Sequence, residues 1–295
     1  MLAGFFFGFM SIIEKYLISN CFASIAEFMV AFGLIHVIRA AVLFSLILNS
    51  DASINTGGII WASIAGAAVV LTAIFYFYAL AREDASRIAP VLAVVPAFTI
   101  IFAALLFGHI PTYLQISGLI IASSGIFVIA IKPIHGRLYF ARKIPLLAAL
   151  VSSFFAAWVM IGLDEASAHV SVLTSEAFRT LAVSLVIPIV FFRKKHFAGV
   201  YKSLRNYKTL ILFFLAEGVF ALGFMLLVNY AVSVGPIGPV GILLTSISPV
   251  TVLIIASVLS TQRLRIFEEV LNRETLGYKI LGTLLVISSV VVLRI

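Results

Sequence analysis

Ten apolar stretches, separated by short polar segments, run through the whole sequence. A helix of about 20 apolar residues crosses the hydrocarbon part of a bilayer. An isolated strand would leave its backbone unpaired in lipid, and a barrel would alternate polar with apolar residues, so each stretch is predicted to be a helix. The predicted fold is therefore an all-α membrane protein with ten transmembrane helices. The predicted spans are residues 2–19, 28–48, 59–80, 88–107, 113–131, 145–163, 173–192, 210–232, 239–260 and 277–294.

The composition agrees with a chain whose main partner is the lipid bilayer. Hydrophobic residues make up 63% of the sequence and charged residues 11%, whereas a soluble domain carries about 25% charged residues. The net charge of +8 is assigned to loops that face an anionic leaflet, and no nucleic-acid partner is predicted. The single cysteine, Cys21, and the scattered residues His36, His109 and His169 form no ligand set, so we predict no metal site and no cofactor.

Basic residues fall almost entirely on one side of the predicted membrane. The gaps after spans 1, 3, 5, 7 and 9 hold 15 Lys and Arg residues, whereas the other side holds only Arg294. The positive-inside rule places the 15 residues in the cytoplasm, and with ten spans both termini then lie outside. The predicted location is the plasma (inner) membrane, as a multi-pass protein.

The sequence divides into two similar halves, residues 1–134 and 135–295, joined around the segment KPIHGRLYFARK. Matched pairs include Pro96 with Pro249, Tyr78 with Tyr230, Gly118 with Gly282, and Arg39 with Arg179, and only the second half carries an extra piece near TQRLRIFEEVLN. Each half has five spans, and an odd number makes the second copy enter the membrane from the opposite side. The pattern therefore predicts two inverted five-helix repeats, the arrangement of many secondary transporters.

Prolines interrupt the fourth span of each half at matched places. An interior proline removes one backbone hydrogen bond, and in lipid the freed carbonyl needs a partner inside a bundle or beside a wet cavity. Pro90 is predicted in the first turn of its span, where proline is tolerated. Pro96 and Pro249 are predicted deep in their spans, as paired kinks that gate a shared site, with a role in helix packing as the alternative.

Ionisable residues inside predicted spans are candidates for a binding site because they are costly in lipid. Glu217 lies within span eight, Glu14 and Lys15 lie toward the end of span one, and Arg39 and Arg179 lie within the second span of each half. Our hypothesis is that Glu217 and Lys15 bind the charged ends of a small zwitterion, although Glu217 could instead titrate a proton. Snorkelling of Glu14 and Lys15 to the surface, and an anchoring role for the two arginines, are the alternatives.

The motif YALAREDASRIAPVLAVVPAFTIIFAALLFGHIP, together with GFFFGFMSIIEK at the start, resembles the EamA-like branch of the drug/metabolite transporter superfamily. Gly8 and Lys15 match that family's opening pattern, whereas Phe7 replaces its Trp and His109 replaces its Glu after Gly108. The resemblance implies ten spans around a central cavity, with both termini in the cytoplasm, contrary to the loop charges. It also implies that spans three and six flank the cavity, which makes Tyr76, Tyr78 and Trp158 candidate substrate-binding residues, with Asn229 as a further candidate.

The predicted function is secondary active transport of a small organic metabolite such as an amino acid. The resemblance implies an exporter that works by alternating access, driven by a proton or by the solute's own gradient. No Walker motif is present, so direct use of ATP is not expected. Two fused halves can close a cavity alone, so a monomer is expected.

Two other functions stay open at this point. A membrane-embedded enzyme acting on a lipid-linked substrate would need paired carboxylates or a nucleophile set, and the sequence has no HExxH, GxSxG or Asp-rich motif. We therefore predict that the chain is not an enzyme. A scaffold or receptor with a transporter-like body is the third reading, although buried charges such as Glu217 would then lack a purpose.

Overall fold

Helices begin and end close to where the hydropathy of the sequence changes. The computed structural model describes residues 2–48, 55–108, 112–134, 137–140, 143–191, 193–234, 237–259 and 273–293. The first half contains α1 (Leu2–Asn20), α2 (Ile25–Leu48), α3 (Thr56–Arg82), α4 (Ala85–Leu92), α5 (Val95–Phe107) and α6 (Tyr113–Ala130). The second contains α7 (Lys143–Ser167), α8 (Val172–Phe191), α9 (Lys194–Leu204), α10 (Tyr207–Phe213), a π-helix π1 (Phe214–Phe220), α11 (Ala221–Val234), α12 (Ile237–Leu259) and α13 (Arg273–Leu293).

Within the described residues, seven helical segments are long and apolar enough to cross a membrane. Three shorter apolar helical segments lie at Ile116–Ile129, Ile247–Leu259 and Leu276–Ser289. These three shorter segments overlap the predicted spans 113–131, 239–260 and 277–294. The chain is a helical membrane protein.

Two connections differ from the sequence prediction, which treated both as loops. The segment between the halves forms a short antiparallel pair of strands, β1 (Ile131–Ile134) and β2 (Arg137–Phe140), with Ile131 opposite Phe140. The basic segment after α8 forms the helix α9, whose Val200 is buried while Lys194 and Tyr201 are exposed. The extra piece of the second half, near TQRLRIFEEVLN, lies outside the described residues, as do His109 and Arg294.

Two proline predictions are corrected. Pro90 lies inside α4, because that helix begins at Ala85 rather than at residue 88. Pro96 is the second residue of α5, after a break at Ala93 and Val94, so it begins a helix rather than lying deep within one. Proline is well tolerated at such a position because its missing N–H has no intrahelical partner there. Pro249 does lie inside the helix α12.

Two helices of the N-terminal part of the chain each pack antiparallel against a helix of the C-terminal part. In the contact between α2 and α8, Gly33 faces Ile187 and, further along α2, Phe44 meets Phe178 at 5.1 Å between ring centroids.

Helices α6 and α13 also pack in opposite directions. Gly125 faces Val286 there, and Ile129 faces Gly282. In both contacts the residue numbers rise along one helix as they fall along the other, so each pair is antiparallel.

Several other contacts join the N-terminal and C-terminal parts of the chain. Helix α3 packs on α7, and α1 packs on π1 and α11. Likewise α1 contacts α12, and α7 contacts both α4 and α5.

A cluster of charged residues joins both halves at the end of the bundle where α3 meets α4. Lys279 of α13 lies 3.2 Å from the Asp84 carboxylate, which is also 3.5 Å from the guanidinium of Arg87. Arg87 is fully buried and donates to the carbonyl oxygens of Ile129 and Ile131 at 2.6 and 3.1 Å. The bond to Ile129 satisfies a backbone carbonyl in the last turn of α6 that the helix itself leaves unpaired, and the bond to Ile131 anchors the start of β1.

Candidate functional site

A cavity of about 170 Å³ lies where helices of the two halves meet. Its walls are mostly aromatic, aliphatic and thioether side chains, with a small set of ionisable groups among them, which is the usual composition of a small-molecule site. The apolar lining includes Phe7, Met10, Phe32, Val69, Phe77, Val95, Val159, Met160, Leu163, Phe224, Met225 and Val228. The ionisable or hydroxyl-bearing lining is Glu14, His36, Arg39, Thr72, Tyr76, Ser152, Arg179, Glu217 and Ser248.

Glu14 reaches the cavity from α1 and is held by a residue of α3. The hydroxyl group of Tyr76 donates a hydrogen bond of 2.8 Å to the Oε2 atom of Glu14. Both side chains are buried, and the ring of Phe7 lies 6.2 Å from that of Tyr76. A buried carboxyl group beside an apolar cavity is suited to bind a cation or an amine.

Glu217 is supplied by the π-helix π1. Its side chain is fully buried, and neither carboxyl oxygen has a hydrogen-bond partner among the described residues. Short π-helical insertions are rare and occur often at functional sites, because the extra residue redirects side chains. The carboxyl groups of Glu14 and Glu217 interact with each other, so two acids from different halves meet at one side of the cavity.

Arg39 lies next to this acidic pair. Its Nη2 atom is 3.6 Å from the Oε2 atom of Glu217, and its Nη1 atom is 3.2 Å from the Nε2 atom of His36. The Nε and Nη2 atoms make no hydrogen bond. The fold thus supplies Glu217, a residue far along the chain, as the acidic neighbour of Arg39.

Arg179 contributes a second guanidinium group from α8. Glu176, one turn earlier on the same helix, accepts hydrogen bonds from its Nε atom at 2.8 Å and from its Nη2 atom. Its Nη1 atom has no partner among the described residues, and the whole side chain is buried. A guanidinium fixed on one edge with a free N–H group on the other is suited to bind a carboxylate.

The structure brings together three of the predicted substrate-binding residues, Glu14, Glu217 and Tyr76. It places the other four away from the described lining of the cavity. Lys15 donates to the carbonyl oxygens of Leu80 and Glu83 at 2.6 and 3.0 Å.

Tyr78, Trp158 and Asn229 have other neighbours. The guanidinium of Arg82 lies 3.7 Å from the centre of the Tyr78 ring, and Trp158 packs on Phe102 at 5.0 Å between centroids. The Asn229 side chain is buried and its amide group donates to the carbonyl oxygen of Val172 at 3.4 Å. The positive charge assigned to Lys15 is therefore supplied at the cavity by Arg39 and Arg179.

Sequence reasoning missed His36 and Glu176 as members of the site. Each precedes an arginine of its own helix by three residues, so one turn of helix brings the two side chains onto the same face. The sequence did contain a sign of this arrangement, namely a pair of polar residues at a similar place in each of two apolar spans.

A second cavity, of about 570 Å³, opens at the surface between α1, α2, α9 and α10. Its lining includes Glu27, Lys202, Asn206 and Lys208, of which the last three are exposed to solvent. Water can satisfy the hydrogen bonds of these exposed groups, so the second cavity needs no ligand. In the described part of the chain, no group of three or more His, Cys, Asp or Glu residues could hold a metal ion.

Comparisons with known proteins agree with this architecture. The model of the EamA-like transporter family matches residues 1–131. A protein of known crystal structure with 15% sequence identity aligns with a TM-score of 0.54, over 98% of this chain and 95% of its own, which shows the fold alone. No curated protein matches the sequence. The match over residues 1–131 agrees with the resemblance found in the sequence and suggests a membrane transporter.

Proposed function

We propose that this chain is a secondary transporter of ten spans, built from two inverted five-helix halves at residues 1–134 and 135–295. The antiparallel contacts between corresponding helices, α2 with α8 and α6 with α13, support this arrangement. Two copies with the same orientation, related by an axis along the membrane normal, would pack corresponding helices in parallel. An axis in the membrane plane reverses them, as in inverted repeats.

The contacts of α1 with π1, α11 and α12, and those of α7 with α3, α4 and α5, support the same two-fold axis in the membrane plane. A two-fold rotation that exchanges the halves turns the contact of α3 with α7 into that of α11 with α1, and both are present. It also turns the contact of α1 with α12 into that of α7 with α4 and α5. The cavity lies where these contacts converge, which suits alternating access by movement of one half against the other.

The proposed substrate is a small zwitterion with an apolar side chain, such as an amino acid. The observation that carries this proposal is the pairing, in one apolar cavity, of two buried carboxyl groups with two buried guanidinium groups that keep unused hydrogen-bonding atoms. The acids Glu14 and Glu217 would bind the ammonium group. Arg39 and Arg179 would bind the carboxylate.

The size of the cavity limits the side chain of the substrate. A dry cavity of about 150 Å³ holds a benzene molecule, and the cavity here measures about 170 Å³. Because the same cavity would also hold the ammonium and carboxylate groups, we propose a side chain no larger than about a benzene ring. Phe7, Phe77 and Phe224 line the apolar part.

The direction and setting of transport follow the family resemblance. We propose export across the plasma (inner) membrane by a monomer, driven by a proton or by the gradient of the solute. The orientation of the termini stays a prediction on which the loop charges and the resemblance differ. No contact in the cavity favours an enzyme acting on a lipid-linked substrate, and the matched family consists of transporters.

Flux into liposomes tests the proposal. Purified protein should move radiolabelled L-phenylalanine, and should move neither phenethylamine nor 3-phenylpropionate at a comparable rate, because each lacks one charged end. Glu217→Gln and Glu14→Gln should each lower the flux at least about 10-fold, which corresponds to about 1.4 kcal/mol of lost interaction.

Glu165→Gln is the matched control, because Glu165 belongs to α7 but does not line the cavity. It should retain the wild-type flux. Equal transport of phenylalanine and phenethylamine, or full activity of Glu217→Gln, would refute the zwitterion site.

Pro96 and Pro249 are proposed as gating residues. Replacing Pro96 by alanine should allow α4 and α5 to join into one helix, and replacing Pro249 should restore a hydrogen bond inside α12. We expect each variant to stay folded and to transport about 10-fold more slowly, with a KM close to that of the wild type, because a straighter helix opposes the conformational change. Pro145→Ala, in the first turn of α7, is the control. Wild-type rates in both Pro96→Ala and Pro249→Ala would remove the gating role.

A further inference from the structure

His36 makes two hydrogen bonds that together determine its protonation state. Its Nδ1 atom is 2.7 Å from the carbonyl oxygen of Phe32, and its Nε2 atom is 3.2 Å from the Nη1 atom of Arg39. A carbonyl oxygen only accepts hydrogen bonds, so Nδ1 must carry a proton. A guanidinium group only donates, so Nε2 must be free of a proton. Only the neutral imidazole with its proton on Nδ1 satisfies both contacts.

This neutral imidazole determines which edge of Arg39 faces the cavity. Because Nη1 is bound to His36, the Nε and Nη2 atoms are left without hydrogen bonds. The Nη2 atom lies 3.6 Å from Glu217, which is beyond hydrogen-bond distance. Without His36, the guanidinium could turn and form a closer, two-point pair with Glu217. Such a pair would occupy the atoms that an anionic ligand needs.

We propose that His36 is a positioning residue, which in its Nδ1–H form holds Arg39 available for the carboxylate of the substrate and releases it when the imidazole gains a second proton. The inference rests on the proposed function for the identity of the ligand. The geometry of His36 and Arg39 does not depend on it.

The charged surroundings of His36 give the direction of its pH dependence. Arg39 on its own helix and Arg179 on α8 are positive, whereas Glu217 on π1 and Glu14 on α1 are acidic. Glu176 of α8 is already bound to Arg179, Tyr76 of α3 is bound to Glu14, and α9 packs on α2 near Glu27, away from the cavity. A proton added at Nε2 would point directly at the N–H group of Arg39. The two cations would separate, so acid conditions should weaken substrate binding.

Nitrogen NMR tests the geometry without any transport measurement. The chain has 5 histidines, so protein with ¹⁵N-labelled histidine in lipid nanodiscs can be compared with its His36→Gln variant to identify the His36 signals. At about pH 7.5 they should show a protonated Nδ1 and an unprotonated Nε2. The opposite tautomer, or a doubly protonated ring, would overturn the proposal.

Transport kinetics test the positioning role with two matched variants. In His36→Gln the side-chain amide keeps an acceptor for Arg39 but cannot ionise, and KM for L-phenylalanine should stay within about three-fold of the wild type. In His36→Leu the acceptor is lost, and KM should rise about 10-fold while Vmax changes little. As the pH falls well below about 6.5, the ordinary pKa of histidine, the wild-type KM should rise more steeply than that of His36→Gln, in which only the carboxyl groups of the site titrate.

An unchanged KM in His36→Leu, or a wild-type pH profile in His36→Gln, would overturn the proposal. If the wild-type protein moves no L-phenylalanine, the proposed function fails instead, and the NMR measurement still decides the state of His36.

Discussion

Gly282→Leu is expected to prevent recovery of folded protein from the membrane. Gly282 faces α6, where an added Cβ atom would lie 2.8 Å from the carbonyl oxygen of Gly125 and 3.0 Å from the backbone nitrogen of Ile129. Backbone atoms of a packed helix cannot turn aside as a flexible side chain can. Small residues allow this close approach, which drives helix association in lipid. The milder Gly282→Ala should lower the free energy of unfolding by about 1–3 kcal/mol, the usual cost of overpacking.

Gly277→Ala is the matched control, because Gly277 lies on the same helix and an added Cβ atom there meets nothing within 4 Å. Alanine should be neutral or stabilise by up to about 1 kcal/mol, since it is the better helix former. Chemical denaturation in detergent, with fluorescence-detected gel filtration for the leucine variant, measures both. Equal stability of Gly282→Ala and Gly277→Ala would mean that α6 and α13 do not pack through Gly282.

Arg39→Leu should produce the second large effect, a loss of about 3–5 kcal/mol of unfolding free energy, because one partner of a buried pair is left without its counter-charge. Glu217 would then lie buried beside Glu14 with no cation in contact. The double variant Arg39→Leu/Glu217→Leu should recover a large part of this loss. A double-mutant cycle should give a coupling energy of at least about 1 kcal/mol.

Arg82→Leu serves as the control for the loss of an arginine. Arg82 is exposed and stacks on Tyr78 at the end of α3, so its removal should cost about 1 kcal/mol or less. Additive effects in the cycle, with no recovery in the double variant, would show that Arg39 and Glu217 act independently. The same variants measured for flux separate a loss of fold from a loss of binding.

The polar pairs on α2 and α8 make the site asymmetric. His36 with Arg39 and Glu176 with Arg179 occupy similar positions on α2 and α8, which pack on each other. Two guanidinium groups therefore line one cavity, but one is bound by a neutral acceptor and the other by a carboxylate. We expect Arg39 to be the more responsive of the two, because a charged partner holds Arg179 more strongly.

The sequence by itself determined the parts of this protein that depend on local chemistry. Hydropathy located the helices, since a span must be apolar over a fixed length whatever it packs against. Glu14, Glu217 and Arg39 could be identified as site candidates because they are ionisable residues within apolar spans, where such residues are costly and need partners. A kink was predicted at Pro96 itself, whereas the helix breaks at Ala93 and Val94 and Pro96 lies at the start of α5.

The tertiary structure decided which of these residues share a cavity. Lys15 and Glu14 are neighbours in sequence, yet successive residues point to different faces of a helix, so Glu14 lines the cavity and Lys15 binds the end of α3. The partner of Arg39 is Glu217, far along the chain, and no local pattern could have linked them. The π-helical turn that carries Glu217 was also invisible, because hydropathy does not distinguish i→i+5 from i→i+4 hydrogen bonding. Pairing of charges across the bundle depends on how helices pack, and that is a property of the whole fold.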